Sequence, residues 1–347
     1  MSVVQILLGL LVGPSILGFI THPDLVQNIA HIAAIVLLFV VGLEFKIKDV
    51  FTVRYGLIAL GGVIVPWLGG FLTAKAFGYN FPSAVFTGTA LTATSIAITV
   101  QVLKEMGKLQ SEVAKAIIGA AVIDDVLGLL ALSFSNQVVN GTFSLPAMAI
   151  PLMNSVLFFV IGIYLGTKFL SLILKRLNGV SALIFALVMA FAYALAAERI
   201  HLSGIVGAFL AGVSLEGAVV RHAKDFKKGA EYLYVIFGSV FFVSLGMLVD
   251  IHLVGPNTLG FLAALTVVAI VSKAAGCFFP AKWQGFSLKD SMIIGCGMAP
   301  RGEVAMIIGL IGLNQDLITQ DIYAAIIVMS LATTVFTPFV LHKIFNK

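Results

Sequence analysis

Apolar runs of membrane-spanning length follow one another along this chain with almost nothing between them. A hydrocarbon core of ~30 Å takes about 17–25 apolar residues per helix. About twelve runs qualify: roughly 2–20, 29–45, 54–77, 81–103, 111–136, 145–171, 180–197, 202–216, 232–249, 257–280, 289–313 and 320–342. Only 11% of the 347 residues are charged and 60% are hydrophobic, with a mean hydropathy of +1.10. Soluble domains carry about 25% charged residues. The chain therefore reads as an all-α polytopic membrane protein, a single integral unit over 1–347 surrounded by lipid. Its short loops leave no room for a soluble domain, and the chain closes at Phe345-Asn346-Lys347, so no cytosolic regulatory domain is expected. The start, MSVVQILLGLLVGPSILG, lacks a basic region and a small-residue cleavage site and reads as a retained helix. Cys277 and Cys296 lie in apolar runs without metal-ligand spacing, so neither a disulfide framework nor a resident metal is expected.

The net charge of +5 would suggest a nucleic-acid partner in a soluble protein. Here the loops account for it. Seventeen of the 21 Lys and Arg fall on one side, in the groups around Lys46, Lys104, Lys168, Arg221, Lys282 and Lys343. The opposite side has Lys75 and Arg199, while Lys273 and Arg301 lie inside apolar runs. By the positive-inside rule both termini are expected in the cytoplasm, and the location is an inner or plasma membrane of prokaryotic type. A miscounted helix would have scrambled this bias.

Two runs are interrupted by polar or helix-breaking residues. The fourth contains Thr92-Ala93-Thr94-Ser95, and the eleventh contains Gly297-Met298-Ala299-Pro300-Arg301-Gly302-Glu303. Runs seven apart cross the membrane in opposite directions. Interrupted helices at matching places in opposed halves point to an inverted-repeat secondary transporter. Runs one to five and eight to twelve would form the repeats, joined by six and seven. No strong residue-level self-similarity stands out in the sequence.

Asp124 and Asp125 lie in the middle of the fifth run, GAAVIDDVLGLL. An acid at bilayer depth costs about 3 kcal/mol on insertion scales, and its default reading is an ion or proton path. Adjacent helical side chains point about 100° apart, so two roles are more plausible than one shared site. Lys273, in TVVAIVSKAAG, is strongly desolvated unless paired, and either aspartate is a natural partner. Burial and ion pairing act on a carboxylate in opposite directions. A desolvated aspartate then holds a proton or coordinates a small cation, and that competition is antiport in chemical terms. Hydroxyls and freed carbonyls around Thr92, Thr94 and Ser95 supply the further oxygens a hard cation needs, and half-helix ends add partial charges.

Blander readings exist for each element. The Lys273–aspartate pair also reads as a structural bridge that fixes helix packing, a role compatible with function. Arg301 and Glu303, after Pro300, read as partners for backbone groups freed by the break. Thr92 alone means little, because membrane Thr commonly bonds back to a carbonyl. Glu44 and Glu216 sit at run ends near water, where an ordinary interfacial role is expected over transport, and the six histidines, scattered at run ends, point to no role.

The stretches AAVIDDVLG (120–128), ALTATSIAIT (90–99), GMAPRGEVA (297–305), GIVGAFLAG (204–212) and FFVSLGMLVD (241–250) resemble the monovalent cation:proton antiporter-2 family. The pattern is most similar to NapA-type sodium/proton antiporters, and GLLVGPSILG and LLFVVGLEFK resemble that family's opening helices. The resemblance implies a homodimer in which a scaffold holds a mobile core, with two crossed discontinuous helices and elevator-like motion. The core would be about 54–136 and 257–342, the dimerisation scaffold about 2–45 and 180–249, and the linker helix about 145–171. Asp125 would be the main cation and proton site. Asp124 would alternate between Lys273 and the ion, with Thr94 beside them. Thr92 and Ser95 would belong to the unwound helix, and Pro300, Arg301 and Glu303 to its crossing partner. Exchange of sodium (or lithium) for protons would be electrogenic. The family usually has a further helix before GLLVGPSILG, and the chain begins almost at that motif, which bears on the dimer and leaves the ion site untouched.

Potassium/proton exchange is the nearest rival, since related members handle potassium. A channel-like pore or a non-transporting ion sensor is the rival from another class, although no repeated filter sequence is present. No nucleotide-binding motif supports a primary pump, and an enzyme reading rests on paired acids alone.

Overall fold

The computed structural model describes residues 2–19, 23–50, 52–142, 144–177, 179–219, 223–248 and 258–345. In chain order the helices are α1 (Ser2–Val12), α2 (Pro23–Gly42), the single turn α3 (Ile47–Val50), α4 (Gly56–Ala76), α5 (Phe81–Ala90), α6 (Ile96–Glu105) and α7 (Glu112–Asn140). Next, α8 (Leu145–Tyr164) continues through a π-helical turn (Leu165–Leu170) into α9 (Ser171–Leu174). The last are α10 (Gly179–Arg199), α11 (Gly204–Val219), α12 (Ala223–Met247), α13 (Leu259–Trp283), α14 (Leu288–Gly297), α15 (Glu303–Asn314) and α16 (Gln320–Phe345). Among the described residues, eight stretches are long and apolar enough to cross a membrane. The other four of the twelve expected segments are the short α1 and α11 and the half-helix pairs α5–α6 and α14–α15. The first run was expected to be helical over 2–20, yet α1 ends at Val12. Pro14 has no N–H to continue it, and the chain turns there through bonds from Leu17 and Gly18 to the carbonyls of Leu11 and Gly13.

Two compact units share the chain, one from about 2–51 and 149–248, the other from about 52–148 and 249–347. In the second unit, α4–α7 and α13–α16 are two copies of one motif. Half-helices α5 and α14 begin 207 residues apart (81 and 288), as do α6 and α15 (96 and 303). The preceding loops keep that register. Lys75 donates to the Tyr79 carbonyl at 3.3 Å, and Lys282 to that of Phe286 at 3.4 Å. Gly78 and Gly285 both take left-handed backbone, with φ of 83° and 90°. Asn80 and Ser287 then cap the half-helices by accepting from the backbone of Ser83 and Asp290, at 2.9 and 3.0 Å.

Close crossings repeat as well. A Cβ on Gly88 would lie 2.6 Å from the Trp67 carbonyl, and one on Gly295 would lie 2.5 Å from that of Ala274. Gly276 lies against Gly61, and in the matching place Gly69 lies against Val268. Lipid tails give helices no hydrophobic reason to associate, so small residues that admit backbone contact carry much of the packing. An apolar core including Phe86, Leu91, Leu265, Ile308, Ile322 and Met329 fills the space between the copies. Since the copies are seven segments apart, they run oppositely through the membrane: the repeat is inverted.

The other unit follows the same rule. Gly9 of α1 and Gly246 of α12 abut reciprocally, each facing the carbonyl three residues before its partner, Val243 or Ile6. Gly42 of α2 and Gly212 of α11 do the same with Phe209 and Phe39. With α11 as the counterpart of α1 and α12 of α2, the second crossing is the first one repeated.

Substituting Val at Gly276 is expected to exceed the about 1–3 kcal/mol of ordinary overpacking, because the obstacle is backbone. The apparent melting temperature in detergent should fall markedly, while Gly217→Ala, with nothing within 4 Å of its Cβ, should leave it unchanged.

Candidate functional site

Both breaks are built by the residues that occupy them. After α5, the Thr92 hydroxyl bonds back to the Thr89 carbonyl at 2.8 Å, and the chain leaves the helical path until α6 begins at Ile96, after an extended Ser95. Short hydroxyl side chains offer the backbone such local alternatives. After α14, Pro300 withholds an N–H and restricts Ala299. The breaks meet: the Ser95 N–H donates to the Pro300 carbonyl at 2.8 Å, and the Thr99 hydroxyl to the Gly297 carbonyl at 2.5 Å. Gly302 is required at this crossing, because a Cβ there would fall 2.8 Å from both Cβ and Oγ of Ser95.

The crossing supplies acceptors, and two cations take them. Lys273 of α13, fully buried, donates to the Thr92 carbonyl at 2.7 Å and to Asp124 at 2.9 Å (Oδ1) and 3.2 Å (Oδ2). Thr94 Oγ1 donates to Asp124 Oδ2 at 2.7 Å. Arg301, also fully buried, donates through Nη1 to the Ala93 carbonyl at 2.7 Å and through Nη2 to that of Ala269 at 3.2 Å. Both charges thus sit at the C-terminal end of α5, where the helix dipole favours cations. Asp124 is 1% exposed, whereas Asp125, one residue further along α7, is only partly buried. Glu303 opens α15, and its side chain lies outside the described residues.

The residues by themselves left open which aspartate faces Lys273, while the resemblance implied Asp124; the ion pair is with Asp124. Sequence reasoning also missed several supports. The Arg301 N–H donates to Thr333 Oγ1 at 3.0 Å, and Thr334 Oγ1 donates to the Arg301 carbonyl at 2.9 Å. Two consecutive threonines inside the twelfth apolar run were the available signal. Gly62 makes room for the ammonium, since a Cβ there would lie 3.4 Å from Lys273 Nζ and 2.7 Å from Cys277 Sγ. Among the described residues no group of three His, Cys, Asp or Glu could hold a metal ion.

Comparison with known proteins decides the family. The family described as "Sodium/hydrogen exchanger, transmembrane" matches residues 1–347. The chain belongs to the sodium/hydrogen exchanger family. It is 35% identical to the Na(+)/H(+)-K(+) antiporter GerN of Bacillus cereus, over 99% of this chain and 89% of that protein. It is 36% identical to an Na(+)/H(+) antiporter of Enterococcus hirae, over 99% of this chain and 91% of the other. Its fold is similar to that of the sodium proton antiporter MjNhaP1 of Methanocaldococcus jannaschii, with a TM-score of 0.72 at 19% identity over 98% and 88% of the two chains.

Membership makes this exchanger an integral membrane transporter rather than an enzyme. The chemistry of its crossing is that of a guarded carboxylate. Asp124 accepts from an ammonium and a hydroxyl, and loosening either would leave a buried oxygen to be satisfied by something else. Removing one partner of a buried pair costs about 3–5 kcal/mol, because the other charge is stranded. Lys273→Gln in the exchanger should therefore lower the apparent melting temperature clearly. Adding Asp124→Asn should restore much of the loss; a silent single variant would show that the pair contributes nothing to stability.

Proposed function

We propose that this exchanger swaps sodium, or lithium, for protons across the membrane by alternating access. The observation that carries the reading is Asp124, held by Lys273 and Thr94 at the meeting of two broken helices, with the less buried Asp125 adjacent on α7. Asp125 is the main cation and proton site. Asp124 leaves Lys273 to assist the ion, and Thr94 with the break carbonyls completes an oxygen shell. Proton and cation compete for the same carboxylates, so each half-cycle carries one or the other and a full turnover exchanges them. Lys273 gives up its proton when Asp124 leaves it, so two protons, one from Asp125 and one from Lys273, exchange for one cation and the loaded states differ by one charge, which makes exchange electrogenic.

The unit of 52–148 and 249–347 is the mobile core, and the unit of 2–51 and 149–248 is the scaffold through which a homodimer forms, with α8 as the linker. Elevator-like movement of the core carries the site between faces. Both termini lie in the cytoplasm, and the physiological task is pH homeostasis. No cofactor or nucleotide takes part; the cations are cargo. Potassium/proton exchange is the second reading, favoured by a relative whose name includes potassium alongside sodium.

Proteoliposomes with an internal pH dye, given sodium, lithium or potassium in turn, test all of this. Cation-induced proton flux is expected for sodium and lost in Asp125→Asn of unchanged melting temperature; undiminished flux in that variant would remove Asp125 from the site. A flux with potassium alone would select the second reading. Competition further predicts that the apparent KM for sodium rises as pH falls, by up to about tenfold per unit. A KM independent of pH would rule out a shared site. Net charge movement is worth about 2.3 kcal/mol per charge per 100 mV, so clamping the membrane potential should change the rate.

A further inference from the structure

The inverted repeat provides a control for every residue of the core unit, and one pair of loops differs in a telling way. On the face poor in Lys and Arg, the loop after α4 is closed by aromatic rings. Phe261 packs between Phe77 and Tyr79, with centroids 5.4 and 4.8 Å apart. Shifting by 207 residues puts Arg54 in the place of Phe261, Gln284 in that of Phe77 and Phe286 in that of Tyr79. The backbone is the same, with the same lysine contact, left-handed glycine and cap. The filling is not. Arg54 lies over the Phe286 ring, 5.0 Å from its centroid, and donates to the Gln284 carbonyl at 2.6 Å. The Gln284 amide, both ends shielded, has no hydrogen-bond partner.

An unsatisfied buried amide costs about 1–3 kcal/mol, and the outer copy shows that this backbone accepts a ring instead. What the inner copy gains is a donor cluster: an exposed guanidinium, the exposed Lys282 ammonium and an amide with no hydrogen-bond partner of its own. Around it stand Trp283, 82% exposed, and Leu288, 67% exposed, where the outer copy has Ala76 and Phe81. Exposed tryptophan beside basic side chains is the composition of a membrane-water boundary, and guanidinium pairs readily with phosphate. Asp290, the nearby acid, accepts from the Ser287 hydroxyl at 2.7 Å.

We infer that Arg54, Lys282 and Gln284 form a headgroup site for an anionic phospholipid, with Trp283 against its acyl chains, at the basic end of α13. The site travels with the core unit and is separate from the Asp124 crossing.

Trp283 reports on its own site. The full chain in detergent is titrated with brominated phosphatidylglycerol or brominated phosphatidylcholine, and tryptophan quenching is read. Wild type should quench at lower phosphatidylglycerol concentration. R54Q/K282Q should lose that preference, about thirtyfold for two surface cations. R54F/Q284F, which installs the outer copy's rings, should fold and lose it too, whereas K104Q/K108Q should retain it. No preference in wild type, retention in both site variants, or an equal loss in K104Q/K108Q would overturn the site. Displacement of the lipid by equimolar glycerol 3-phosphate would show that a free anion is the ligand and overturn the lipid assignment.

Discussion

A membrane interior offers no water to a backbone group that has left its helix, and the core unit depends on how that shortage is met. Each break frees carbonyls and amides that must find partners inside the protein. Here the partners are the other break, two threonines of α16, and the buried cations Lys273 and Arg301. The cations in turn need counter-charge, which brings Asp124 into the crossing. The buried carboxylate is thus a consequence of breaking two helices in lipid. Breaks, cations and acid are one solution to one hydrogen-bonding deficit.

The two copies of the motif fold alike where packing decides and differ where charge is placed. At an offset of 207, Lys273 faces Pro66 across the repeat, Arg301 faces Thr94, and Arg54 faces Phe261. The symmetry of the crossing fails at the same spot. Ser95 reaches the Pro300 carbonyl through its backbone, while the equivalent Ala93 carbonyl is taken by a guanidinium. Symmetric glycines supply the frame, and asymmetric side chains supply the chemistry.

Much of the fold was legible because a bilayer imposes length and polarity on every segment. The twelve runs, the two breaks and the opposed halves follow from runs of apolar residues and from Pro300, Gly302 and the Thr92–Ser95 cluster. The residue-level repeat escaped notice because it resides in Gly78 with Gly285, Gly88 with Gly295, and Lys75 with Lys282, scattered identities that mean nothing until the crossings are seen. The early end of α1 was hidden by apolar residues that continue past Pro14. At the site, Asp124, Lys273 and Arg301 announced themselves as charges in apolar surroundings. Which aspartate met the lysine could not be read from the residues alone, since neighbours 100° apart on a helix are equivalent until the other helices are placed; only the family resemblance pointed to Asp124. Gly62, Ala93 and Ala269 contribute space or a carbonyl, and nothing in their side chains marks them.

A motif present twice in opposite orientations also speaks to ancestry. A half-length chain that inserts both ways up would assemble this crossing from two copies of itself, with identical residues at both breaks. Such a protein could not place a lysine at one break without placing it at the other. Joining the copies into one chain removes that restriction, and the proline across from Lys273 is a mark of the freedom gained.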